Sequence, residues 1–356
     1  MFTIWLVGVF VLGVCAGGAI NYCFYRLPLE KSLLWPGPRC GHCLQPIRWH
    51  DCVPLVGYAL LRGRCRTCGQ QIPLRHPVVE LGTGLMFVGL FYLEIGRNLL
   101  ALPYLQARQV EVAAGDIPSS AWFLFACHAV LMSLLLLTSL CDLDDMAIPL
   151  PITISGTLLG LTCSALFAWP FPDAGQALPL VRGMVPPRLP PGLYPWPVWY
   201  PLPEWLPAGS WQLGLATGLA GALAGMLVMR IVRFTFGVTR GIEALGIGDA
   251  DLMMMAGAFV GWQPVLLSCF VAAFPGLLFG LIQLVRRGNQ ALPFGPSLAL
   301  GVVLTLWLWP YLGDSDALRM VFFEPFFFSI IVGGGTLFLL LAGLFFRFLL
   351  GTPTTD

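Results

Sequence analysis

The run "GIEALGIGDADLMMMAGAFVGW", residues 241–262, sets Glu243, Asp249 and Asp251 against an almost uniformly apolar segment. Carboxylates placed there are catalytic, ion-coupling, or simply the wet end of a helix. The surrounding chain narrows the choice. Of its 356 residues, 57% are hydrophobic and only 10% charged, with a mean hydropathy of +0.81. Soluble domains carry roughly 25% charged residues. Apolar stretches of near-spanning length recur from end to end, at 3–25, 78–96, 121–141, 148–169, 211–234, 251–261 (short), 263–285, 296–312 and 323–346. A hydrocarbon core needs about 20 such residues in a helix. The expectation is an all-α polytopic integral membrane protein of about eight or nine spans.

Charge orients it. Fourteen Arg and Lys fall in 26–77 and in the loops on the same side, against five (Arg97, Arg108, Arg182, Arg188, Arg319) on the other. The positive-inside rule makes the rich side cytoplasmic, with the amino terminus outside and the carboxyl terminus inside. The first apolar run has its positive charges after it and no basic stretch before it, so it reads as an anchor and not a cleaved signal. A net charge of +1 gives no reason to expect a nucleic-acid partner. The expected organisation is an anchor (1–25), a small cytoplasmic domain (26–77), a second span with an outer loop (78–120), a membrane domain (121–312) and a further span with a tail (313–356). Within the membrane domain, 170–210 is crowded with Pro and Trp, which precludes a regular helix and suits an extended outer-interface segment.

Eleven cysteines are present. Seven (Cys15, Cys23, Cys52, Cys127, Cys141, Cys163, Cys269) are scattered and read as small buried hydrophobes. The other four form "CGHC" (40–43) and "CRTC" (65–68), separated by 21 residues. Two such knuckles suit tetrahedral Zn²⁺, each pair reaching two corners from one tight turn, so Cys40, Cys43, Cys65 and Cys68 are the expected ligands of a zinc-ribbon-like domain. A redox reading of "CGHC" stays open, but it needs a helix amino terminus to lower the thiol pKa. A domain of this size buries little core, and a metal staple would compensate. His42 and His50 could replace a ligand, although four thiolates already close a site.

Asp142, Asp144 and Asp145 lie in "LTSLCDLDDMAIPLP", where a long span meets the cytoplasm, and Asp249 sits at the cytoplasmic start of another. Ionised groups within spans are costly, so acids beside them tend to be functional or interfacial. Two carboxylates held close share a proton, one serving as base on water and the other as acid. That is aspartyl-protease chemistry. Two alternatives stay open at this point: such acids can cap helix amino termini, as read for Asp145, or couple ions in a transporter. The Met253–Met255 run reads as core packing.

The motifs, in order, resemble the bifunctional type IV prepilin peptidases, membrane aspartyl proteases of the G-x-G-D class. "GGAINYCFYRLP" (17–28) is similar to the family's first-helix ending, with Asn21, Arg26 and Pro28 in place. The stretch from Cys40 to Leu81 is similar to its cytoplasmic zinc domain, and "LPFGPSLALG" (292–301) to its later I-P-F-G-P segment. "CDLDDMAIP" fits D-x₅-[IL]-P with Asp142 seven residues before Pro149, and "EALGIGDADL" fits E-x-[ML]-G-x-G-D with Asp249 as the second acid. The resemblance implies Asp142 and Asp249 as the catalytic pair, with Asp144, Glu243, Gly246 and Gly248 in support. It implies cleavage, after a Gly at the cytoplasmic membrane surface, of the short basic leader of a prepilin or pseudopilin. It also implies methylation of the new amino terminus from S-adenosylmethionine, in a bacterial inner-membrane protein surrounded by lipid. No residue binds that cofactor on chemical grounds alone, and Glu80 at the membrane edge is the one candidate.

This chain departs from the family pattern at Asp251, where Lys is usual, at Leu150, where Asp or Asn is usual, and at Cys52, where Asn is usual. Two other function classes remain. An ion-coupled transporter requires polar residues deep within spans, of which the sequence offers few. A non-catalytic scaffold would use the cysteine domain to recruit a partner.

Overall fold

Glycines at positions 13 and 17 let the first helix lie against the third backbone to backbone. In the computed structural model, a Cβ on Gly13 would meet the Thr83 carbonyl oxygen at 2.7 Å, and one on Gly17 the Glu80 Cα at 2.6 Å. The structure describes residues 2–33, 35, 37–100, 102–145, 147–166, 205–206, 210–240, 246–287, 293–313, 315–323 and 325–350. Its described secondary structure is helical apart from two isolated β-bridges. Seven described helices are long and apolar enough to cross a membrane, and Leu150–Leu166 is a shorter apolar one. This is a multi-pass membrane protein, built as two compact units, Met1–Cys141 and Asp142–Asp356.

In the first unit, α1 (Phe2–Phe24) packs on α3 (Arg75–Phe91), and the cysteine-bearing segment with its short helix α2 (Val56–Leu60) lies between them in sequence. Arg26 ties down the chain leaving α1, donating to the Gly37 carbonyl at 2.9 Å and stacking over Tyr22. Asn21 donates to the His76 carbonyl, joining the end of α1 to the start of α3. The outer loop expected after residue 96 holds two short helices, α4 (Pro103–Gln106) and α5 (Gln109–Ala114), which Trp5 anchors by donating to the Gly115 carbonyl at 3.0 Å. The long helix α6 (Ser119–Asp145) supplies Phe125, which packs edge-on against Phe91, and Trp122, which lies tilted against it.

A five-residue π-turn, Tyr92–Gly96, continues α3 and turns Glu94 inward, where Oε1 meets Nδ1 of His128 on α6 at 2.8 Å. Glu94 is completely buried, and its Oε2 has no partner among the described residues. The expectation that spans hold few deep polar groups therefore misses this pair. The cysteines also correct the sequence reading. Of the seven scattered ones only Cys141 is buried, while Cys15 lies on an open face of α1 and Cys52 is exposed in the segment between α1 and α3.

The second unit comprises α7 (Leu150–Leu166), α8 (Trp211–Arg240), α9 (Ile247–Val260), α10 (Trp262–Arg287), α11 (Gly295–Gly313), α12 (Asp316–Phe323) and α13 (Pro325–Leu350). Its centre is α9. Ten of the 14 residues of α9 are buried, including Met253 and Met255, as befits a helix that is apolar on every side. Gly221 and Gly225 on α8 bring that backbone against the Gly257 and Met253 carbonyls, and Ser164 on α7 donates to the Ala258 carbonyl at 2.6 Å. Exposed Phe270, Phe274 and Leu277 on α10, and Phe338 and Phe348 on α13, suit contact with lipid. Most of the 170–210 insert lies outside the described residues.

Candidate active site and metal centre

The motif acids of the second unit stand at helix ends, each end imposing a different electrostatic setting. Asp142, Asp144 and Asp145 occupy the last turn of α6, so the amino-terminal capping role expected for Asp145 is corrected. The carboxyl end of a helix carries partial negative charge and opposes a carboxylate there. Asp142 is compensated from elsewhere: its Oδ2 accepts the backbone N–H of Gly295, first residue of α11, at 2.8 Å. Asp144 is exposed.

Asp249 is the third residue of α9, and its Oδ2 accepts the N–H of Gly246 at 3.1 Å, the residue preceding the helix. This is half of a capping box; the other half is missing because Gly246 has no side chain. Asp142 and Asp249 are each 6% exposed. Burial first, and the nearby Asp142 charge second, raise Asp249 to about 6, while the Gly246 N–H pulls the other way. Two acids that feel one another in a dry site cannot both ionise freely. The structure thus brings together the two acids that the sequence singles out.

Gly248 allows this approach. A Cβ there would meet Ile148, in the segment that follows Asp142, at 2.9 Å, whereas one on Gly246 would find nothing closer than 3.6 Å. Glu243 lies outside the described residues. Asp251, on the far side of the same turn, feels the positive charge of Arg230 on α8. Its extra negative charge has a countercharge within its own unit. Gly295 is the site residue that sequence reasoning missed. Its motif was legible, but a backbone donor has no letter of its own.

In the first unit the four knuckle thiols converge. The Sγ atoms of Cys40, Cys43, Cys65 and Cys68 all lie within 4.8 Å of one another, with Cys40 and Cys68 at 3.9 Å. A tetrahedral Zn²⁺ with Zn–S of 2.3 Å requires sulfur–sulfur edges of about 3.8 Å, which this set can meet. The two knuckles repeat one another. Cys40 N–H donates to the Gln45 carbonyl and Cys65 N–H to the Gln70 carbonyl, and the bridges Arg39–Pro46 and Arg64–Gln71 close each loop. Four residues after the first Cys of each knuckle, Leu44 and Gly69 share a left-handed backbone, at φ 55° and 70°. Cys40 lies in a turn and not at the start of an α-helix, so the feature that would activate a thioredoxin-type thiol is missing there. Arg66 grips Asp51 through two bonds of 2.9 and 2.6 Å, which holds that carboxyl below the usual range.

Glu80, the residue considered for the cofactor, has a structural contact in this unit. Its Oε2 already accepts the Leu55 N–H at 2.7 Å, at a residue with φ of 60°, and so fastens the cysteine segment to α3.

Two stretches of the chain match family models. Residues 11–93, which include all four knuckle cysteines, match the bacterial peptidase A24 N-terminal domain. Residues 196–281, which include Asp249, match the type IV leader peptidase family. A prepilin leader peptidase/N-methyltransferase of Myxococcus xanthus is 29% identical over 280 residues, covering 79% of this chain. The aligned part spans 63% of that relative's length. A protein of the same name from Pseudomonas putida is 27% identical over 83% of this chain and 88% of its own. A type 4 prepilin-like proteins leader peptide-processing enzyme of Escherichia coli O78:H11 is 29% identical over 83% of this chain and 91% of its own. No solved structure matches. Two family models thus match in order along one multi-pass membrane chain, and the prepilin leader peptidases named above are similar to it over most of its length.

Proposed function

We propose that this chain is a membrane aspartyl endopeptidase that removes the short basic leader of a type IV prepilin or pseudopilin, with Asp142 and Asp249 as its working pair. The observation that carries the proposal is their pairing: two buried carboxylates in mutual electrostatic reach, each with Oδ2 held by a backbone N–H. Asp142 takes a proton from water as the oxygen attacks the scissile carbonyl, and Asp249 gives its proton to that carbonyl oxygen. Collapse of the tetrahedral species breaks the C–N bond: the proton held by Asp142 goes to the leaving amine, and the re-forming carbonyl returns its proton to Asp249. The sites of the two acids, at the end of α6 and the start of α9, belong to the cytoplasmic face under the positive-inside assignment. A basic leader that stays in the cytoplasm would meet acids there.

Three finer points belong to the same proposal. The protein resides in the bacterial inner membrane with its amino terminus outside and its cysteine domain and carboxyl terminus inside. Cys40, Cys43, Cys65 and Cys68 hold a structural Zn²⁺, which would tie together a segment with little core of its own. The new amino terminus is methylated from S-adenosylmethionine, a step supported by the names of the relatives and by the matched amino-terminal domain. Asp142→Asn and Asp249→Asn test the peptidase reading directly: each should leave a co-expressed prepilin uncut, and cutting by both would refute it.

A further inference from the structure

We propose that Gly295 is a positioning residue, which holds the Asp142 carboxylate in its working orientation. The proposal rests on the reading of Asp142 as half of the catalytic pair. Three observations carry it.

The first is electrostatic. Asp142 ends α6, where unpaired carbonyls disfavour a carboxylate, and Gly295 begins the 19-residue helix α11, where the dipole favours one. The second concerns which donors that helix start has to offer. Pro296 has no N–H, and those of Ser297 and Leu298 turn back to the Phe294 carbonyl at 3.0 and 3.1 Å. The Gly295 N–H reaches outward, to Oδ2 of Asp142 at 2.8 Å.

The third observation is steric and singles out the residue type. A Cβ on Gly295 would meet Oδ2, Cγ and Cβ of Asp142 at 2.7, 3.1 and 3.2 Å. All three nearest atoms belong to the one side chain. Glycines elsewhere on this bundle, such as Gly221 and Gly301, are required by neighbouring backbone; Gly295 is required by a carboxylate. With Oδ2 engaged, Oδ1 is the oxygen left to act on water. A rotation of that carboxylate would misalign the base.

The test uses the full chain in detergent with a purified prepilin. Gly295→Ala should lower kcat by about tenfold or more with KM little changed, a pattern expected when a reacting group is displaced and substrate binding is not. The acid limb of kcat should also move to higher pH, because a carboxylate that loses its N–H donor takes up a proton more readily. A purely structural effect would leave that limb in place. Should Gly295→Ala not fold, a second variant decides: Asp142→Cys with Gly295→Cys should form a disulfide under mild oxidation, since the Cβ atoms are adjacent. Folded Gly295→Ala with wild-type kcat, an unmoved acid limb, or no cross-link in folded double-cysteine protein would each overturn the proposal. Asp142→Asn and Asp249→Asn run alongside. If both still cut, the dyad reading itself is wrong; if both are inactive while Gly295→Ala is unimpaired, only the positioning role is.

Discussion

Gly295 donates its backbone N–H to Oδ2 of Asp142 at 2.8 Å, across 153 positions of sequence. That bond joins the end of α6 to the start of α11, and Gly248 joins the segment after α6 to the start of α9. Three separate motifs therefore meet at one pair of acids, each contributing a helix end. The glycines in two of them make room for the approach.

Gly246 and Gly248 look alike in sequence and should behave differently. Gly248→Val would drive a side chain into Ile148, 2.9 Å from the Cβ position, and separate the two acids. A displacement of that kind is expected to lower cleavage about a hundredfold. Gly246→Ala meets only ordinary contacts, so cleavage should stay within about threefold of wild type. Parallel rates for the two variants on one prepilin check the contrast.

Asp249 also predicts a pH-dependent stability. Its carboxyl is raised from 3.8 to about 6, so the folded state binds its proton more tightly than the unfolded chain does. The contribution is fully present below the unfolded value and is lost as pH rises from there through 6. The loss is on the order of 3 kcal/mol over that window. Asp249→Asn, which cannot ionise, should therefore melt higher than wild type at pH 7.5, and the difference should shrink towards zero near pH 4. Melting curves in detergent at the two pH values measure it.

How much of this was legible beforehand depends on what kind of group carries each feature. Spans announce themselves by apolar length, and the helix ends fall within a few residues of expectation because few polar residues interrupt them. Asp142 and Asp249 were readable because each acid stands out in its own motif. The Gly295 donor was not, since every residue but proline has an N–H and only the fold says which one is aimed. Asp251 shows the same limit: its charge was visible, but Arg230, a turn of a different helix away, was not assignable to it. Glu94 and His128 stand 34 positions apart on separate elements, and only the π-turn brings them together.

That buried pair should behave as a unit. Glu94→Ala or His128→Ala alone leaves an uncompensated polar partner in an apolar interior and should cost about 3–5 kcal/mol. Replacing both with apolar residues of similar volume should cost clearly less than either single change. Thermal melts of the three variants give the comparison.

Zinc is tested by removal. Cys40→Ser with Cys65→Ser takes one ligand from each knuckle and should release the metal and unfold residues 26–77, seen as rapid proteolysis between α1 and α3. Methylation should fall further than cleavage in that variant. Wild-type protein should carry about one zinc per chain by elemental analysis, as four thiolates saturate a single tetrahedral ion. Well-folded protein free of zinc would remove the metal from the account.

The central claim, that Asp142 and Asp249 together cut the leader, meets its most direct test in a mass spectrum of a prepilin co-expressed with each variant. The wild-type chain should yield mature pilin lacking its leader and carrying one added methyl group. Asp142→Asn and Asp249→Asn should each yield only the full-length precursor. Mature pilin from both variants, at the level the wild-type chain gives, would contradict the account.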